Sequence, residues 1–290
     1  MKQGRAVRRT GAPGHAGTAM QPGVGPYAGA GVMKNAVRAE WTKLRTDAVT
    51  LVLLLGAVVS TVAVGTAVAV TSRCDAPGCG GDAIRISLTG VMVGQVVVAI
   101  AGVLMVGGEY GTGMMRSTLT ALPRRSTVLC SKATVLTVVL LVTGTVSVLG
   151  SLLAGGLALP GRGFTEAHGF EPLSLADGAT LRAAAGSVLY LVLIGLLSQG
   201  VALIVRNSAT AVGIVLALLL VLPIVAQVVG DPDWQRHLQQ IAPMTAGLTV
   251  QATVGVDELP LGPWQGLGVL ALWATGALVA GGGLLRSRDA

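Results

Sequence analysis

The chain has 290 residues, of which 52% are hydrophobic and only 11% charged, with a mean hydropathy of +0.73. Soluble domains carry roughly 25% charged residues, so one water-soluble packed domain is excluded. Several separate apolar runs of about 20 residues, each long enough to cross a hydrocarbon core of roughly 30 Å, also exclude a protein with a single membrane anchor. A net charge of +7 would suggest nucleic acid in a soluble chain. In a membrane protein, basic residues are expected first in cytoplasmic loops, and no nucleic-acid partner is expected.

Residues 1–33 are rich in Gly, Pro and Ala and bury too little to offset ordering entropy, so a disordered cytoplasmic extension is expected. Lys2, Arg5, Arg8 and Arg9 precede no apolar core, which argues against a cleavable signal peptide. Met33, followed by Lys34, offers an alternative start. In residues 34–47, Val37, Trp41 and Leu44 fall at i, i+4 and i+7 on one helical face, while Arg38, Lys43 and Arg45 point elsewhere. The pattern fits an interfacial elbow helix with its stripe in membrane lipid. A basic extension that only sets topology is the plainer reading.

Residues 48–288 read as an all-α transmembrane domain with six spans, about 48–70, 88–108, 134–158, 183–205, 209–229 and 264–285. Placing the N-terminal segment, the loop from Glu109 to Lys132, Arg206 and the C-terminal tail in the cytoplasm puts 15 of the 20 Lys and Arg inside. Arg73, Arg85, Arg162, Arg182 and Arg236 fall outside. Among the acids, Glu40, Asp47, Glu109 and Asp289 fall inside and nine outside. A plasma-membrane protein with both termini cytoplasmic is therefore expected.

The loop after the second span is the most informative segment. Met115, Leu119 and Leu122 repeat at helical spacing, Thr112 is a candidate cap, and Pro123 stops the helix. Ser126 is then available to cap the third span. Such a short amphipathic helix either docks in a partner's groove or rests on the membrane.

Glu109-Tyr110 followed by Gly113, Arg116, Thr118, Leu119, Pro123, Arg125 and Lys132 resembles the segment after the second span of ABC-2 type permeases, the membrane subunits of ABC exporters. The run from Ala39 to Arg45, Ala-Glu-Trp-Thr-Lys-Leu-Arg, resembles actinobacterial members of that family. With six spans, the resemblance covers residues 34–288. It implies a coupling helix over residues 109–125 that docks on a separate ABC ATP-binding subunit, where ATP and Mg2+ would bind. It also implies a second permease protomer, as a homodimer or heterodimer, with the substrate path between the two. The implied ATPase-coupling residues are Glu109, Tyr110, Gly113, Met115, Arg116, Leu119, Leu122, Pro123, Arg124 and Arg125. In this picture Glu109 pairs with Arg116 or with a partner's cation, a solvated interfacial charge being the plainer reading, and Arg124 and Arg125 could face an acidic rim on the ATPase, positions that topology explains equally well. Met114 departs from the family, which often has Thr there.

In the outer loops, Cys74 and Cys79 flank Asp-Ala-Pro-Gly, a turn that could bring them into a disulfide; metal binding by the pair with Asp75 would be incomplete. Trp234, Leu238 and Ile241, then Pro243 and residues 244–254, fit two short surface helices. Gln95, Gln199 and Gln227 are expected to turn inward, bonding between helices or touching substrate. Gly90 and Gly94 would allow close helix approach, and Pro223 would kink the fifth span.

No G-x-x-x-x-G-K-[ST] loop is present, and His15, His168 and His237 are scattered and read as isolated, exposed histidines. No catalytic, cofactor-binding or metal site is therefore expected in this chain. No ionisable residue is expected well inside a span, which argues against an ion-coupled carrier. The alternative to a permease is a non-transporting membrane scaffold or sensory module that assembles with another complex.

Overall fold

The computed structural model describes residues 28–74, 81–114, 125–168, 170, 174–228 and 230–287, and these contain helices and turns but no strand. The elements are α1 (Ala28–Thr46), α2 (Ala48–Thr71), α3 (Ala83–Gly111), α4 (Arg125–Ala158), α5 (Gly178–Val205), α6 (Ser208–Val228), α7 (Pro232–Ile241), α8 (Pro243–Leu248) and α9 (Pro263–Ser287). Six of them, α2 to α6 and α9, are long and apolar enough to cross a membrane. These six fall on the six expected spans. In this order, α2, α4 and α6 begin, and α3, α5 and α9 end, at the bundle end that carries α1, called the proximal end here.

Helices α3 and α5 form the centre: 61% and 67% of their most apolar stretches are buried, against 22% for both α6 and α9. Close approach at α2 depends on small residues. A Cβ on Gly90 would lie 1.8 Å from the Thr61 carbonyl oxygen, and one on Gly94 would lie 2.0 Å from Thr61 Oγ1, so the expected glycine pair does bring two backbones together. Capping follows local chemistry: Asp47, Asp177 and Asn207 accept the N–H groups of Val49, Thr180 and Thr210 at the starts of α2, α5 and α6.

Several boundaries differ from expectation. Helix α1 begins at Ala28, six residues before the expected elbow. Helix α4 begins at Arg125, about two turns before the expected third span, so Ser126 lies inside it and does not cap it. Thr112 caps the end of α3: its N–H and hydroxyl both donate to Gly108 O, at 3.1 and 3.0 Å. Gly113 follows at φ +72°, a left-handed turn that glycine adopts without strain. In α6, Pro223 has no N–H to continue the ladder, and the preceding turn, Ala217–Val221, widens to π geometry.

At the distal end, α7 and α8 confirm the two short helices. Helix α7 keeps Trp234 and Ile241 exposed, whereas α8 buries Pro243, Met244 and Ala246. Asp82 ties this region to the first distal loop. It caps its own helix through Arg85 N–H at 3.0 Å and accepts from Thr253 N–H at 2.6 Å, Thr253 Oγ1 at 2.8 Å and Val254 N–H at 3.3 Å. Cys74 packs in a small core with Ala69, Leu159 and Phe164; Cys79 lies outside the described residues. His168 is not isolated, because its Nδ1 lies 2.6 Å from Gly163 O.

The intramembrane glutamines divide. Gln95 is fully buried and accepts the Tyr190 hydroxyl proton. Gln199 is equally buried, yet neither amide atom has a hydrogen-bond partner among the described residues. Gln227 is exposed, contrary to the inward orientation expected of it. It sits in the last turn of α6, where a long polar side chain can reach the membrane surface.

Candidate functional site

The densest chemistry lies at the proximal end, where α1, the last turns of α3 and the first turns of α4 meet. On α1, Ala36, Glu40 and Leu44 recur every four residues and are all buried. The packed face is therefore rotated from the expected stripe. Leu44 joins the core, Val37 packs against it and Trp41 stays 41% exposed. Burying Glu40 on this face requires a cation, and two converge on it.

Lys132, on the second turn of α4, places Nζ 2.8 Å from Glu40 Oε2 and 2.7 Å from Glu109 Oε1. Lys43, one turn beyond Glu40 on α1, places Nζ 3.0 Å from Glu40 Oε1 and 2.8 Å from the same Glu109 Oε1. Side-chain exposure is 1% for Lys132, 6% for Glu40 and 10% for Glu109, against 36% for Lys43. The four residues form a closed ring of two cations and two anions, joining three helices. Burial pulls the Lys43 ammonium down, but hydrogen bonds and charge from Glu109 and Glu40 outweigh it and hold the group above its usual value. Removing any single member leaves the ring unbalanced in a poorly solvated place, the arrangement in which buried ion pairs are most sensitive.

This ring corrects the sequence reading in two places. Lys132, expected in a loop, is helical and almost fully buried near the start of α4. Glu109 pairs within the chain, with Lys43 and Lys132, and is not a solvated interfacial charge. Glu40, Lys43 and Lys132 were not expected at a site. The signal that could have found them is charge against trend: Glu40 and Glu109 are acids at the end that otherwise collects cations.

A second set of contacts grips the end of α9. Arg125 donates to the carbonyl oxygen of Leu285 and, at 3.5 Å, to that of Arg286. Arg206, in a left-handed conformation at φ 60°, donates to Leu284 O at 3.5 Å and stands 5.7 Å from the centroid of the Tyr110 ring. Guanidinium groups at a helix C-terminus satisfy its terminal carbonyls and complement its dipole. Arg125 thus serves the end of α9, a contact the sequence did not suggest. Of the expected coupling residues, Glu109, Tyr110, Gly113 and Arg125 are brought to this end. Met115, Arg116, Leu119, Leu122, Pro123 and Arg124 lie outside the described residues.

The sequence matches no protein-family model and no curated protein. The fold itself defines the class: six long apolar helices with no strand among the described residues make this an all-α, multi-pass membrane protein.

Proposed function

We propose that the chain is the membrane-spanning subunit of an ATP-driven exporter of the ABC-2 type. It works as a dimer in the plasma membrane with both termini cytoplasmic, and couples to separate ATPase subunits that carry ATP and Mg2+. The observation that supports this reading is the position of the buried ring. It grips α3 at Glu109 and α4 at Lys132, on either side of the segment proposed to dock on the ATPase. Arg125 holds the far side of the same segment to α9. A displacement of residues 112–122 would thus be passed to α1, α3, α4 and α9 through short, charge-assisted contacts. An ATPase can shift such an equilibrium only if its contact with that segment differs between its own states.

The test is affinity purification of the tagged protein in mild detergent, with identification of copurifying subunits and an ATPase assay on the complex. Recovery of a Walker A ATPase, lost when residues 112–122 are replaced by a Gly/Ser linker in a chain that still inserts, is the expected result. If no ATPase copurifies while a known ABC-2 complex survives the same detergent, the proposal fails and the scaffold alternative replaces it.

A further inference from the structure

Beside the ring, α1, α2 and α3 enclose a cleft of about 410 Å³ that the coupling reading does not use. Its apolar wall is Leu44, Leu104 and Met105, and its polar wall includes Glu40, Asp47 and Glu109. Three carboxylates thus face one ammonium, that of Lys43, which already donates to Glu40 and Glu109. Lys132 neutralises part of this charge from behind, but it is 1% exposed and does not line the cleft.

Two carboxylates keep acceptor capacity toward the cleft. Glu109, only 8% exposed, lines the cleft; its Oε1 takes both lysine ammoniums, while its Oε2 takes no hydrogen bond among the described residues. Asp47 is exposed and forms no ion pair with any described residue; its oxygens serve the Val49 N–H and the Thr50 hydroxyl. A buried carboxylate oxygen without a donor is costly, and a ligand that brings a donor and a positive charge relieves that cost. The volume falls within the roughly 300–1,000 Å³ of small-molecule sites. The cleft also lies where α1 meets the starts of α2 and the end of α3, at one edge of the spanning region.

We propose that this cleft binds the ammonium group of an amphipathic ligand, with the charge at Asp47 and Glu109 and the alkyl portion against Leu44, Leu104 and Met105. Such an ammonium comes either from an amine-headgroup phospholipid or from a dissolved amphiphilic amine. The proposal does not rest on ATPase coupling, because binding is read on the purified chain alone.

The probe is n-decylammonium, titrated calorimetrically into the purified protein, with n-decyl sulfate and n-decanol as controls bearing the same tail. Saturable binding of one decylammonium per chain is expected, with neither control competing. Asp47→Asn keeps a good helix cap while removing charge, and should weaken binding about tenfold without altering thermal unfolding. Gly108 lines the cleft, and a Cβ there meets nothing within 4 Å, so Gly108→Leu should fold, fill the space and abolish binding. Equal binding of decyl sulfate, or unchanged affinity in both variants, overturns the proposal. In nanodiscs, displacement of decylammonium by phosphatidylethanolamine but not by phosphatidylglycerol supports the site with a lipid headgroup as its source. Undiminished binding in both lipids supports it with a dissolved amine.

Discussion

Replacing Lys132 by Met keeps the length and helix propensity of the side chain and deletes its ammonium. Glu40 and Glu109, at 2.8 and 2.7 Å from that ammonium in the native protein, would then share Lys43 alone, whose side chain is 36% exposed. At an effective dielectric of about 20, a unit-charge contact at this range is worth about 6 kcal/mol before solvation is counted. The cost of keeping Lys132 itself out of water disappears at the same time, so the two lost contacts do not add in full. Breaking a buried pair by removing one partner costs about 3–5 kcal/mol, and that is the expected loss here. The companion variant Lys132→Met with Glu40→Gln leaves Glu109 beside Lys43 at 2.8 Å as a balanced pair, and should recover most of the loss. The assay is unfolding by SDS titration in mixed micelles, followed by far-UV circular dichroism. A single variant within about 1 kcal/mol of wild type, or a double variant less stable than the single, would refute the view that charge balance within the ring holds α1 to α3 and α4.

Gly90→Ala should cost about 1–3 kcal/mol in the same titration through overpacking against the Thr61 backbone, whereas Gly108→Ala, with open space around its Cβ, should gain up to about 1 kcal/mol. Asp82→Ala removes four hydrogen-bond partnerships at once; hydrogen exchange should speed up over residues 249–254 while the proximal end is unchanged. The raised Lys43 value sets the sign of a pH effect: its contribution is complete below pH 10.5 and fades as pH rises through the higher folded value. Wild type should therefore lose SDS resistance at alkaline pH more steeply than Lys43→Met, and parallel profiles would show that Lys43 carries no such linkage.

The spans were legible in the sequence because crossing a membrane is a local requirement. Each helix must satisfy its own backbone hydrogen bonds and remain apolar over its length, so a window of about 20 residues contains the necessary information. The short distal helices were legible for a similar reason, since Trp234, Leu238 and Ile241 mark one face and Pro243 separates the two segments. A local reading also treats charge as the edge of the membrane, and that is why Lys132 was assigned to a loop and α4 was started late. Its burial depends on Glu40 and Glu109, 92 and 23 residues away, and a lysine is admitted to a packed interior only when such partners meet it. The same holds for Glu40, whose helical face was visible but whose counter-charges were not. Gln95 and Gln199 look alike in sequence, yet among the described residues the Gln95 amide oxygen meets Tyr190 while neither amide atom of Gln199 meets a partner. The sequence by itself determined that the chain forms six apolar helices; only the tertiary structure decided where its charges go, because pairing energy depends on distances between residues that no local pattern records.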